Sequence, residues 1–474
     1  IIEKILCHFE SCFSRKAAFR WFVIIITGLM LRSDKLGVTS ILRDLALAPG
    51  CYDSMLHFFR ASSWSLEDIR KRWFSAVRLY APLYKEGNFH VLVGDGVKQS
   101  KEGRRMPGVK KLFQESENSA KPEYMHGHMF GGLGILAGNF RSWACIPLSI
   151  RLHDGLQAAR EWKGASVSTA SHVVQMVEDS YHAALTFGDS LLLLDRYFLT
   201  VPALEKLREL NNSGKVHMEI VTKAKKSCTA FQKPGPRKPG RGRPPKKGDA
   251  VHLKGLFASH KEQFMETETE LYGKKKTIRY YSIDLLWGQK LYQELRFVLV
   301  EMDGIQSILA STSLALDPLS IIRLYSYRFR IECTFRELKQ QTGAFCYHFW
   351  SKHMPKLSYY QKKGEPTPLE RVEDERSRKK ILKTVRAIEV HMELSCIAMG
   401  ILQTLSIRFI GKVCSSQIRY QRTPSKGRVS EAALMHYFRK HFFRLLEQKP
   451  KSYITQIIHE LQEESEKHWD FLAS

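Results

Sequence analysis

Two short apolar runs, each closed by an aspartate, constrain this chain more than any other feature. His90-Val91-Leu92-Val93-Gly94 ends at Asp95, and Leu191-Leu192-Leu193-Leu194 ends at Asp195. Apolar runs without alternation suit strands buried on both faces. Strand-like runs also span His128 to Leu136 and Trp143 to Leu152, separated by Ala137-Gly138-Asn139. Helices are expected over about Ser171 to Leu185 and Pro202 to Leu210, with a further strand over Val216 to Thr222. Strands followed by helix–strand alternation indicate an α/β fold, a mixed sheet flanked by helices. Ligand-binding groups in such sheets gather at the carboxyl ends of strands. A carboxylate there is costly to bury unless it is paired or holds a cation. For either aspartate alone, a turn cap is the plainer reading.

The flanks differ in texture. Residues 1–85 read as an all-helical region, with Thr39 or Ser40 as a cap, Pro49-Gly50 as a break and Ser65-Leu66-Glu67-Asp68 as a capping box. That pattern is compatible with a helix-turn-helix, and plain helical packing is the favoured reading of it. Residues 86–222 and 296–412 form the two parts of the α/β core. Between them, residues 223–295 read as a basic, β-rich insertion with strands at Thr277 to Leu286 and Leu295 to Glu301. Its first part, Lys223 to Gly248, carries ten Lys or Arg, five prolines and no acid, so it cannot bury a core. Residues 413–474 read as a C-terminal helical region with a possible dimerisation role. No internal repeat is present.

A long helix is expected from Asp317-Pro318, with Asp as N-cap and Pro at the first position. On it Tyr325, Arg328, Glu332 and Lys339 are offset by 3, 4 and 7 residues. At 3.6 residues per turn they fall within an arc of roughly 60°. Leu324, Ile331, Phe335 and Leu338 make an adjacent apolar stripe that would seat the helix on the sheet. Three carboxylates, Asp95, Asp195 and Glu332, then have a common use. Mg²⁺ takes oxygen ligands and is usually held by a few carboxylates together with substrate phosphates. Two such ions can activate an attacking oxygen and stabilise a leaving one in phosphoryl displacement, with no Ser, Cys or His required. Arg328 and Lys339 would hold phosphates beside them.

With these residues in view, the sequence resembles the DDE transposases of bacterial insertion sequences. It is most similar to the branch marked by Tyr-x2-Arg-x3-Glu-x6-Lys, which Tyr325, Arg328, Glu332 and Lys339 match without a gap. The resemblance spans about His90 to Lys339. It implies a ribonuclease-H-like core interrupted by a β-rich insertion, with an acidic triad of Asp95, Asp195 and Glu332. It further implies two Mg²⁺ per active site (Mn²⁺ as a possible substitute), cleavage at the ends of a mobile element and joining to target DNA. Double-stranded DNA is the implied partner, bound at terminal inverted repeats by a homodimer. In relatives that form hairpins, the tyrosine, arginine and lysine contact phosphates and an insertion aromatic holds a flipped base. Trp287 is the candidate here, with burial in its strand as the competing expectation. A nuclease of the same fold without strand transfer, and an inactive DNA-binding descendant, remain alternatives.

Charge agrees with a polyanionic partner: Lys+Arg 74 against Asp+Glu 48 leaves +26. Arg241-Gly242-Arg243-Pro244 resembles a minor-groove AT-hook core, and a flexible basic linker explains it as well. Lys98, Lys101, Arg104 and Arg105 follow Asp95 and are expected on a DNA-facing loop; Lys274 to Lys276 and Arg279 would extend that surface. His126 and His128 read as ordinary strand histidines, since no ligand spacing accompanies them. Nine scattered cysteines without a CxxC pair fit a reducing compartment, and a cytoplasmic, nucleoid-associated bacterial location is expected. The longest apolar run, Phe22 to Leu31, is about half a membrane span and lacks a cleavage site, so it reads as a buried helix. No membrane and no small-molecule substrate are expected. The chain begins at Ile1 rather than methionine, which leaves room for a preceding segment.

Overall fold

The computed structural model describes residues 1–114, 122–139, 142–162, 171–235, 244–360, 365–409 and 428–462. Hydrogen bonding links thirteen strands into one mixed sheet among these residues. Its centre is the strand Phe89–Ser100, antiparallel to Tyr124–Asn139, which in turn pairs antiparallel with Ser142–Leu152. On the other side, Ser190–Leu193 and then Met218–Ala224 run parallel to it. Three antiparallel strands followed by two parallel ones are compatible with a ribonuclease-H-like arrangement. The helix His172–Phe187 packs on Phe89–Ser100 and Tyr124–Asn139, and the helix Glu375–Arg408 packs on Ser142–Leu152.

Residues of the segment 223–295 continue the same sheet. Ile305–Ser311 pairs antiparallel with Met218–Ala224, followed outward by Gln293–Met302 and Lys274–Trp287. Two of these strands extend the runs read at Thr277 and Leu295. The sequence does not predict Ile305–Ser311 or Met265–Leu271, because neither carries a clear apolar alternation.

Local chemistry sets the helix starts. Ser65 Oγ accepts from the Asp68 backbone N–H at 3.2 Å and opens Leu66–Tyr80. Asp317 Oδ2 accepts from the Ser320 N–H at 3.0 Å and opens Pro318–Tyr327, with proline where its missing N–H costs nothing. Phe22 to Leu31 is buried throughout, within the helix Lys16–Leu31.

The N-terminal helices share one hydrophobic core with the sheet and the C-terminal helices. Trp73 of Leu66–Tyr80 is 1% exposed and donates its indole N–H to the Pro147 carbonyl in the sheet. Arg70 pairs at 3.0 Å with the fully buried Glu393 of Glu375–Arg408. That 34-residue helix is apolar and long enough to cross a membrane, yet its most apolar window is wholly buried inside the fold.

Candidate functional site

The parallel neighbours Phe89–Ser100 and Ser190–Leu193 pair as far as Val93 and Leu193. Asp95 and Asp195 each lie two residues further on, side by side where the parallel ladder stops. The sequence predicts that the first strand ends at Asp95. It runs on to Ser100 instead, because the antiparallel neighbour supplies partners through Gly127, with Asp95 opposite Gly132.

Gly132 also sets the third acid. A Cβ there would lie 2.4 Å from Cε1 and 2.5 Å from Cζ of Phe335. The missing side chain therefore makes the socket into which Phe335 packs, and Phe335 sits one turn after Glu332. The helix carrying them is interrupted at Arg328, between Pro318–Tyr327 and Phe329–Glu337, and passes into a π turn over Leu338–Thr342. The sequence predicts one continuous helix; the π turn has a wider repeat, a feature frequent at functional sites.

These elements bring Tyr325 and Arg328 onto the two aspartates and tie Glu332 in through Arg328. Arg328 Nη1 donates to Asp95 Oδ2 at 3.1 Å, and its Nη2 donates to Glu332 Oε1. The Tyr325 hydroxyl donates to Asp195 Oδ1 at 3.3 Å. Asp195 is further fixed through its carbonyl, which accepts from Thr222 Oγ1 at 2.9 Å. Burial pushes the Asp95 carboxyl up to about 6, although Arg328 and the Gly96 N–H pull it down; Glu332 and Asp195 add to the rise. The Arg328 guanidinium is held above its ordinary range by the acids around it, which outweigh its own burial.

The donor chemistry fits a hard divalent cation, because Asp95, Asp195 and Glu332 offer oxygen alone. The raised Asp95 pKa fits it too: one guanidinium does not repay the burial of this carboxylate, so the cleft is short of positive charge. As the side chains stand, no three His, Cys, Asp or Glu among the described residues are gathered closely enough to hold an ion. The Arg328 guanidinium bridges Asp95 and Glu332 instead.

Other expected residues lie elsewhere. Lys339, within the π turn, places its ammonium 5.3 Å from the ring centre of Phe345. Lys98 Nζ donates to the Phe113 carbonyl at 2.8 Å. Trp287 is half-buried, packs against the core and donates its indole N–H to Cys228 Sγ at 3.2 Å. Arg241 and Arg243 lie outside the described residues. Lys276 pairs with Asp303 and Arg279 with Glu301. His128 is fully buried between the Pro107 carbonyl and the Tyr347 hydroxyl, and burial lowers its pKa to about 3.

Sequence reasoning missed a buried polar chain beside Asp95. His153 contacts Asp179 at 2.9 Å through Nε2 and His172 at 2.8 Å through Nδ1, while Arg151 pairs with Asp179. His172 Nε2 lies so near Gly96 that a Cβ on that glycine would sit 2.8 Å from it. Burial, then His153, lowers the His172 pKa to about 3, so its ring is neutral at ordinary pH. His153 reaches His172 and Asp179, 19 and 26 positions further on, and these long-range contacts leave no local pattern.

A search of curated proteins finds no match. The family model described as DDE superfamily endonuclease matches residues 8–281, a span that includes Asp95 and Asp195 and stops before Glu332. That match covers more than half of the sequence, and with two aspartates just past the end of the parallel ladder bonded to one glutamate-bearing helix, the chain belongs to the DDE superfamily endonucleases.

Proposed function

We propose that this endonuclease is a transposase that binds the terminal inverted repeats of a mobile element, cleaves there and joins the ends to target DNA. What supports the reading is that Arg328 bonds to both Asp95 and Glu332 while Tyr325, one turn earlier, bonds to Asp195. Members of the family generally use divalent metals. Asp95, Asp195 and Glu332 would hold Mg²⁺, which supplies Lewis-acid activation of an attacking oxygen and charge neutralisation at the leaving one. Asp95 does its part as a carboxylate, because Mg²⁺ takes ionised oxygen ligands. Arg328 must then release at least one of its two acids, and its freed N–H groups are placed to take a DNA phosphate in a bidentate grip. Tyr325 holds the Asp195 carboxylate in one orientation by its hydroxyl donation. Lys98 and Lys339 add positive charge along the approach, and DNA-end recognition falls to residues 1–85, with dimerisation through residues 413–474.

A nuclease without strand transfer is the second reading, favoured by the endonuclease description of the family. An assay on labelled element ends with Mg²⁺ separates the two: cleavage followed by joining supports the transposase, and cleavage alone supports the nuclease. Glu332→Gln nearly preserves shape and removes one ligand charge. It is expected to bind ends normally and to cleave at least roughly a hundredfold more slowly, as losing one preorganised electrostatic group does elsewhere. Wild-type cleavage by this variant removes Glu332 from the site.

A further inference from the structure

The elements that carry Asp95 and Glu332 continue into a second, strongly basic feature. The chain after the Asp95 strand, Lys101 to Met106, and the chain after the π turn, Phe345 to Ser351, lie together. Lys101 is buried and donates to the carbonyls of Phe345 and Tyr347 at 2.7 and 3.0 Å. The Ser351 N–H donates to the Arg105 carbonyl at 3.1 Å, and Arg105 Nη1 donates to the Lys352 carbonyl at 2.8 Å. The junction is therefore held by backbone and buried side-chain bonds.

Two cavities of about 740 and 670 Å³ meet there and share His348 and Trp350. The larger has Arg60, Lys352, Lys380 and Lys383 in its wall against one acid, Asp53. The smaller has Lys101, Arg104, Arg105 and Lys356 against one acid, Glu102. Between them the extended segment alternates: Tyr347, Phe349 and Ser351 are buried, while His348 and Trp350 face outward. Trp350 is 57% exposed although both its neighbours are anchored in the core. An indole held out by rigid backbone between two clusters of cations has the composition of a single-strand binding surface, in which basic groups track phosphates and an aromatic ring stacks a base.

We propose that this trough binds single-stranded DNA, with Trp350 stacking an unpaired base and Lys380, Lys383, Lys352 and Arg104 holding the flanking phosphates. Because both walls continue from the acid-bearing elements, the trough provides a track for a strand freed from its complement near the active site. The inference rests on DNA being the substrate and deepens the proposed function.

The test measures binding of the full chain to a labelled oligothymidylate by fluorescence anisotropy in EDTA across a salt series, so that cleavage plays no part. Trp350→Ala is expected to weaken binding at least roughly fivefold, the lower range for one stacked base, and Trp350→Phe to restore most of it. Lys380→Ala/Lys383→Ala is expected to lower the slope of log K against log salt by about 1.4, or roughly 0.7 for each single-strand phosphate no longer neutralised. If Trp350→Ala and the double lysine variant keep wild-type affinity and slope while duplex ends are still bound and cleaved, the trough assignment is overturned and the active-site reading stands. If the wild-type chain binds duplex and not the single strand, the trough assignment is likewise overturned. If it binds neither, both readings fall.

Discussion

Asp95 is a carboxylate that the fold holds at a cost, and Asp95→Asn measures that cost. Its pKa is pushed from the ordinary 3.8 up to about 6, with burial as the largest cause. The folded pKa exceeds the unfolded one, so the unfolded chain releases this proton first and ionisation favours unfolding. The penalty is absent well below pH 3.8, grows between pH 3.8 and 6, and is complete above pH 6. Two pKa units at 1.36 kcal/mol each make it about 3 kcal/mol at pH 8 and roughly half that at pH 5. An asparagine stays neutral and keeps an oxygen to accept from the Gly96 N–H, now at 2.7 Å. Its amide N–H₂ group would face Arg328, which takes back about 1 kcal/mol. The expected net gain is thus about 2 kcal/mol at pH 8, shrinking below 1 kcal/mol at pH 5. Urea denaturation of both proteins in EDTA at the two pH values reads this directly from the midpoints. Adding Mg²⁺ at pH 8 should raise the wild-type midpoint and leave that of the variant nearly unmoved, since a ligand that prefers the folded state stabilises it by mass action. A variant less stable than wild type at pH 8, or a gain that does not shrink on acidification, refutes the claim that Asp95 is a desolvated charge awaiting a cation.

Two further substitutions probe the scaffold and the basic segment. Gly132→Ala drives a methyl into the Phe335 ring and is expected to cost about 1–3 kcal/mol and slow cleavage; Gly132→Ala/Phe335→Leu should recover part of both, measured by melting temperature and end cleavage. Additive losses in the double variant would show that the two positions do not share a socket. Deleting residues 233–248 should weaken duplex binding and flatten its salt dependence by about 0.9 for each duplex phosphate that the segment neutralises. An unchanged slope removes that segment from the DNA surface.

What the sequence disclosed of this molecule follows from the range of each signal. Leu191 to Leu194 is apolar on every residue, and that requirement of a doubly covered strand is written locally, as is the 3.6-residue spacing that puts Tyr325, Arg328 and Glu332 on one face. Both survive into the structure because no distant contact is needed to produce them. The π turn over Leu338–Thr342 is not legible in the same way, because a backbone hydrogen-bond repeat is not a property of side-chain spacing. The continuity of the sheet through Ile305–Ser311 is invisible in the sequence for a different reason: it depends on that strand finding Met218–Ala224, some ninety positions earlier. The same distinction separates the two tryptophans. Trp287 is singled out by family likeness and is packed against Cys228, whereas Trp350, which the sequence reading does not single out, lies between buried Phe349 and Ser351 and is the one left facing solvent. Alternation predicts which side chain is presented; only tertiary pairing decides what surrounds it. A site assembled from strand ends and one helix face is therefore partly legible in advance, while Gly132 under Phe335, and His153 between Asp179 and His172, exist as interactions only once the chain has closed.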